Sequence, residues 1–499
     1  MRVVEIDSGG VRGVEDGGAL AFLGIPYAAP PVGLRRFMPP EPPQAWSGVR
    51  DASSFGPAAA QVPKRGSLDD VGELSEDCLY LNVWTPSCDE RRRPVMFWIH
   101  GGGLRGGGAS EASSYGSALA ARHDVVVVTV GYRLGVFGGF VWLSQLDDDR
   151  LSRSANVGLL DQLAALRWVN ANVEKFGGDP GCVTIFGQSS GGQSVAMLMS
   201  MPESIGLLHR AIAQSPAQPR ALEPDTARFL LDRYLAHLGA RGVEAAGIYT
   251  APSQELVAAV SDLKKETDWG VIGHPIHPIL DGAVLRRQPL DAIGAGQAAD
   301  IPLLAGWNRD ELVLNFGPDV PRLTSEALAP ELARPLPDPT VASRMAEAYG
   351  AEALAGLQPS PPAPWTMFNG DRMVRIGAER LLDAQSAHQG RTYAYMLAWD
   401  PPSARGSLHC MEIPLVFDTT GRSAWGRLIG DGPTVEPMTA RIQAAWVAFA
   451  RTGDPNVPLL PAWPRYETPY RATMLLGDAP VVGADVWPAQ RAAWNGVDL

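Results

Sequence analysis

Gly187-Gln188-Ser189-Ser190-Gly191 is the stretch whose residue types and spacing point most directly to chemistry. It lies between the apolar run Val183–Phe186 and a helical pattern running from Ser190 towards Met201. A strand turning sharply into a helix holds the central serine on a strained elbow, its hydroxyl raised above the sheet edge. Glycines two residues before and two after allow so tight a turn without Cβ clashes. The helix beginning at Ser190 aims N–H groups, and the positive end of its dipole, at charge developing beside Ser189. A bare Gly-x-Ser-x-Gly is also what an ordinary glycine-rich turn looks like, so the flanking strand and helix carry the reading. A second element, His100-Gly101-Gly102-Gly103, directly follows the apolar run Val95–Ile99. Acyl transfer needs donors aimed at a carbonyl oxygen as it becomes an oxyanion, and glycines let backbone N–H groups come that close. His100 itself reads as a strand-end residue rather than a catalyst, and Gly106–Gly108 as a flexible turn.

The elements that must hold these pieces alternate along the first half of the chain. Val95–Ile99 and Val125–Val130 are continuous apolar runs, the pattern of strands buried on both faces of a mostly parallel sheet. Leu159, Leu163, Leu166, Val169 and Val173 form a helical stripe, which Asp179-Pro180 ends before the strand at Val183–Phe186. Arg210–Gln214 and Ile301–Gly306 read as further strands. Strand, crossover helix, strand is the signature of a doubly wound α/β sheet. From about residue 217 to 365 the pattern loosens and proline clusters separate short helical pieces, as expected of a helical cap, though the segment could equally belong to the main body. Beyond it, Asp371–Ala387 and Arg441–Ala450 read as helices and Tyr393–Trp399 as a strand.

Composition narrows the classes. The 499 residues are 45% hydrophobic and 19% charged, which excludes a disordered chain and supplies a large core. Length alone suggests about three domains. The net charge of -12, from 42 basic and 54 acidic residues without a basic run, argues against a nucleic-acid partner. Cys78, Cys88, Cys182 and Cys410 make neither a disulfide framework nor paired zinc-ligand spacing. The N-terminal stretch has no apolar core of a secretory signal, and the longest apolar runs are strand-length, too short to span a membrane. The expectation is a cytoplasmic protein of unspecified oligomeric state.

Longer motifs add to this. Gly24–Phe37 (GIPYAAPPVGLRRF), Ser75–Pro86 (SEDCLYLNVWTP), the HGGG run, Asn156–Gly192 and Phe449–Asn456 (FARTGDPN) together resemble the type-B carboxylesterases, the family of cholinesterases and bacterial para-nitrobenzyl esterases. The resemblance runs nearly end to end. It implies an α/β-hydrolase fold, with a central, mostly parallel twisted sheet flanked by helices and carrying helical cap insertions. One catalytic domain over residues 1–499 is then expected instead of three. The family's acid lies in a G-x-N-x-D-E segment, matched at Gly306–Glu311, and its histidine in an H-x-x-E segment, matched at His409–Glu412. Spacing alone leaves His274, His277 and His388 open beside His409, and Asp310 open beside Glu311. The resemblance implies the triad Ser189, Glu311 and His409, in the chain order of this fold.

It also implies a serine carboxylesterase acting on small-molecule esters through an acyl-enzyme. The backbone N–H groups of Gly102, Gly103 and Ser190 are then expected to form the oxyanion hole, and neither metal nor organic cofactor is needed. The same triad would serve an amidase or carbamate hydrolase. A non-catalytic cholinesterase-like binding protein is disfavoured by the presence of all three residues. Several positions depart from the family habit. Gln188 stands where glutamate is usual, removing an anion that would stabilise a histidinium. Ser190 replaces alanine, Gly131 asparagine and Pro216 glycine. Leu104-Arg105 follows the glycines where an aromatic residue is common, so Arg105 is either a contact for acidic or polar acyl groups or a solvent-facing side chain. The family's partner for Cys78 is missing from Phe55–Gln61, so thiols and a reducing compartment are expected.

Overall fold

The valine-rich runs pair in parallel at the centre of one large sheet. A computed structural model describes residues 2–63, 70–266, 275–313, 330–332, 336, 338–404 and 406–497. The strands, in chain order, begin with β1 (Arg2–Ile6), β2 (Gly9–Asp16), β3 (Ala19–Pro26), β4 (Val49–Asp51), β5 (Ala58–Ala59), β6 (Leu74–Ser75) and β7 (Tyr80–Thr85). They continue with β8 (Arg93–Ile99), β9 (Val126–Val130), β10 (Gly178–Gln188), β11 (Arg210–Gln214), β12 (Leu303–Asn308), β13 (Thr392–Leu397), β14 (Ala472–Leu476) and β15 (Val481–Ala484). The spatial order is β1-β2-β3-β7-β9-β8-β10-β11-β12-β13-β14-β15, with β4 beside β2 and β5 paired with β6 in a small separate sheet. From β9 across to β14 every pairing is parallel, while along the rest of that order the margins are antiparallel, with β4 added in parallel to β2. Parallel neighbours need crossovers, and α1 (Ser117–His123), α2 (Val157–Asn172) and α3 (Ser190–Ser200) supply three of them.

Alternation along the strands divides the core between the two faces. Val95, Phe97 and Ile99 of β8 join one hydrophobic cluster, while Met96 and Trp98 join the other with Phe186 and Trp446. The helical stripe read from Leu159 is α2, whose buried residues include Leu159, Leu163, Leu166 and Val169. The helix read at Arg441–Ala450 is longer than its apolar pattern indicated, Val435–Thr452. Strand β10 starts earlier than expected, at Gly178, and its pairing with β8 shifts between Gly178 and Val183, around Pro180, which has no N–H to give to the ladder. Within residues 217–365, the run Leu303–Asn308 is β12, seated between β11 and β13 in the sheet itself.

A buried ion pair braces the loop that follows β9. The Arg133 guanidinium donates to both oxygens of Asp161 on α2, at 2.7 and 2.8 Å, and to the Met38 carbonyl; its backbone N–H also reaches Asp161. Asp161 is 0% exposed. The braced loop supports the glycine run: the Tyr132 hydroxyl donates to the His100 carbonyl and the Gly135 N–H to the Leu104 carbonyl, each at 2.7 Å. Asp161→Ala strands the Arg133 charge and is expected to cost about 3–5 kcal/mol, read as a marked fall in the urea and thermal unfolding midpoints.

Candidate active site

Strand β10 ends and α3 begins at Ser189, where φ is 58° and ψ is -124°. That backbone is unfavourable for a residue with a Cβ, the kind of local strain that persists only when surroundings enforce it. The surroundings do so. The Ser189 N–H donates to the Gln214 carbonyl, and its carbonyl accepts from Gln193 and Ala217, at 2.9–3.0 Å. The first helical turn lies so close to β8 that a Cβ on Gly191 would stand 2.1 Å from the Ile99 carbonyl oxygen. This is why the second glycine of the pentapeptide is required.

The glycine run sits against the same elbow. A Cβ on Gly101 would lie 3.2 Å from that of Ser189. Gly102 and Gly103 have φ of 110° and 66°. Among the described residues, no acceptor takes the N–H of Gly102, Gly103 or Ser190. Ser190 adds a contact that its alanine counterpart could not make: its hydroxyl accepts the Leu104 N–H at 3.2 Å, tying the glycine loop to the helix start. Two other departures also lie here. Gly131 leaves only 2.9 Å between a would-be Cβ and the Cys78 carbonyl, and Pro216 packs against Gly192 in the first turn of α3.

The acid and the histidine come from the loops after β12 and β13. Glu311, 3% exposed, receives His409 Nδ1–H on Oε2 and the Asn308 N–H on Oε1, the latter at 2.7 Å. Asp310 points elsewhere. It accepts from the Ser407 N–H at 2.7 Å and from Arg309 Nε at 2.8 Å, and its own N–H donates to the Ser407 carbonyl, so it ties the acid loop to the histidine loop. Of the other histidines, His277 pairs with Gln193 on α3 and His388 with the Gly294 carbonyl; His274 lies outside the described residues. His100 is buried, stacks on Tyr132, and is pushed down to about 4 by burial, consistent with a strand-end role.

Burial alone would lower the His409 pKa, but the charges and hydrogen bonds of Cys410 and Glu311 outweigh it and hold the group well above its ordinary value. Nδ1 is committed to Glu311. The side-chain nitrogen of Gln188 lies 3.1 Å from Nε2 and 3.3 Å from Nδ1. Ser189 Oγ makes no hydrogen bond among the described residues, so the structure joins Glu311 with His409 and leaves the serine unengaged nearby. Beneath them is a carboxyl that spacing alone did not mark for a role. Glu412 accepts from Asn308 Nδ2 at 2.6 Å and is pushed up to about 7 by burial and by the charge of Glu311. Its only sequence signal is its fixed distance from His409.

Arg105 is partly buried, and its pKa is lowered by that burial. A cavity of about 660 Å³, lined by Gln61, Val71, Glu73, Ser253 and Val257 among others, opens beyond the glycine loop, where Gln61 exchanges hydrogen bonds with Gly107. All four cysteines are thiols outside any disulfide. Among the described residues, no three His, Cys, Asp or Glu side chains form a metal-binding group, and no helix is long and apolar enough to cross a membrane.

A helix-flanked, centrally parallel sheet with this elbow at its middle is an α/β-hydrolase fold. Residues 1–491 match the Carboxylesterase family. The chain is 36% identical over 482 residues to para-nitrobenzyl esterase of Bacillus subtilis, covering 95% of this chain and 94% of that one. It is 35% identical over 506 residues to phenmedipham hydrolase of Pseudarthrobacter oxydans, covering 97% and 96%. A crystal structure of a Geobacillus stearothermophilus carboxylesterase superposes with a TM-score of 0.87 at 38% identity, covering 99% of both chains. The chain therefore belongs to the carboxylesterase family and is a carboxylic-ester hydrolase. Ser190→Ala leaves the buried Leu104 N–H without its acceptor and is expected to lower stability by about 1–3 kcal/mol, read by calorimetry as a lower Tm.

Proposed function

We propose that this hydrolase works through a covalent acyl-enzyme on small-molecule esters, with Ser189 as nucleophile, His409 as general base and acid, and Glu311 as the orienting carboxylate. The observation that carries the reading is the Glu311–His409 hydrogen bond, which leaves Nε2 as the basic nitrogen. Nε2 takes the Ser189 proton as Oγ attacks the ester carbonyl. The resulting oxyanion accepts from the N–H groups of Gly102, Gly103 and Ser190, which have no other acceptor among the described residues. The imidazolium then protonates the departing alkoxide, and the alcohol leaves. Water enters, gives a proton to Nε2 and attacks the acyl-enzyme; collapse releases the acid and returns the proton to Ser189. No step calls for a metal or organic cofactor. The missing Ser189–His409 bond fits a free enzyme whose catalytic hydrogen bonds tighten when substrate binds.

The three groups come from β10, the loop after β12 and the loop after β13, which supports one catalytic unit over the whole chain. Four thiols outside any disulfide suit a cytoplasmic setting.

Pure Ser189→Ala protein is expected to lose turnover of p-nitrophenyl esters; an undiminished rate would sink the assignment. A parallel anilide panel tells esterase from amidase. Glu311→Gln is expected to lower kcat by about 10⁴, as an acid-to-amide change does in a related triad, while Asp310→Asn chiefly loosens the two loops and costs stability. His409 must be neutral to accept a proton and its pKa is raised, so kcat/KM should fall on the acid side with a midpoint above the ordinary 6.5.

A further inference from the structure

Another cavity, of about 430 Å³, lies against α2 and is lined by none of the residues placed in the reaction above. Its size falls within the roughly 300–1,000 Å³ of small-molecule sites. Its apolar wall is Leu160, the buried Trp142 and Leu163, and Met201, the residue after α3. Leu160, Leu163 and Arg167 follow one another at helical spacing, so they share a face of α2 that passes from apolar to cationic along the helix. Arg153, from the loop before α2, brings a second guanidinium to the lining.

The charges around this cavity are unevenly committed. Glu203 pairs with Arg286 at 2.9 Å. Asp281 accepts the N–H groups of Ala283, Val284 and Leu285 on one oxygen, at 2.9–3.2 Å. Each acid of the lining therefore already has donors. Neither Arg153 nor Arg167 has a side-chain hydrogen bond or ion pair among the described residues, and both are exposed. In a chain whose net charge is -12, two uncommitted cations beside a buried apolar wall match a ligand with an anionic head and an apolar tail. A guanidinium fork fits a carboxylate with two parallel hydrogen bonds, and the tail gains by leaving water. Ester hydrolysis makes such a compound at every turnover: water and the ester become an alcohol and a carboxylate that carries the acyl tail.

We propose that this cavity is a second binding site, apart from the catalytic one, for apolar carboxylates, the class of acid that the enzyme's own reaction releases. Arg153 and Arg167 hold the carboxylate, and Trp142, Leu160 and Leu163 cover the tail. This goes beyond the catalytic reading and does not depend on which residues form the triad.

The test is equilibrium dialysis of octanoate against whole enzyme titrated to zero activity with diethyl p-nitrophenyl phosphate, which keeps the catalytic site filled. A single octanoate per chain is expected to bind. Octanamide has the tail without the charge and acetate the charge without the tail, so each should bind at least about tenfold more weakly. The double variant Arg153→Gln/Arg167→Gln should weaken octanoate by about tenfold or more, yet turn over p-nitrophenyl acetate at the wild-type rate before inhibition, which shows its fold intact. Ala283→Trp adds bulk to the lining without touching either cation and should weaken octanoate too. The proposal is overturned if the inhibited enzyme holds no octanoate, or if either variant holds it as tightly as wild type. Octanamide or acetate binding as tightly as octanoate would overturn it as well. Failure of the triad reading is seen separately, as turnover persisting in Ser189→Ala, and changes none of these outcomes.

Discussion

The contact on which the site depends is the approach of α3 to the end of β8. Gly191 passes so close to the Ile99 carbonyl that no side chain fits between them. That approach sets the angle between β10 and α3, holds Ser189 in its unfavourable backbone conformation, and brings Gly101 alongside it. Strain of this kind costs about 1–3 kcal/mol per residue and survives only inside a rigid frame. The frame is the parallel centre of the sheet, where β8 and β10 are buried and paired on both sides.

A parallel sheet also explains why residues so far apart in sequence meet. Parallel strands all end on the same side, so the loops after β8, β10, β12 and β13 share one edge. The glycine run and the elbow directly follow β8 and β10, Glu311 lies close behind β12, and His409 lies further along the loop after β13. The loops are bound to one another as well as to the strands. Ser190 ties the elbow to the glycine run, Asp310 ties the acid loop to the histidine loop, and Asn308 links Glu311 with Glu412. Each tie is a hydrogen bond in a buried setting, where leaving a group unpaired is costly.

Much of this was legible. The apolar runs gave most central strands within a residue or two, because β-branched residues buried on both faces leave no other use for so much apolar surface, although β10 begins at Gly178, well before its run at Val183. The glycines at 187 and 191 marked the elbow because only glycine survives the close approach. Other features were opaque. The loosened pattern from 217 to 365 did not say where a cap ends and the main body resumes, although the run Ile301–Gly306 inside it read as a strand and is β12 of the sheet. Spacing could not separate Glu311 from Asp310, because adjacent residues point in opposite directions and only the fold says which direction holds the histidine.

By itself, then, the sequence determined the sheet and the elbow, because burial patterns and glycine sterics act locally along the chain. The tertiary structure alone decided which carboxylate meets His409, that the Ser190 hydroxyl anchors the glycine loop, and that Cys410 and Gln188 rest against the imidazole. Those are contacts between loops separated by tens to hundreds of residues. Their distances are set by how parallel strands align at one edge, a quantity that no local spacing encodes.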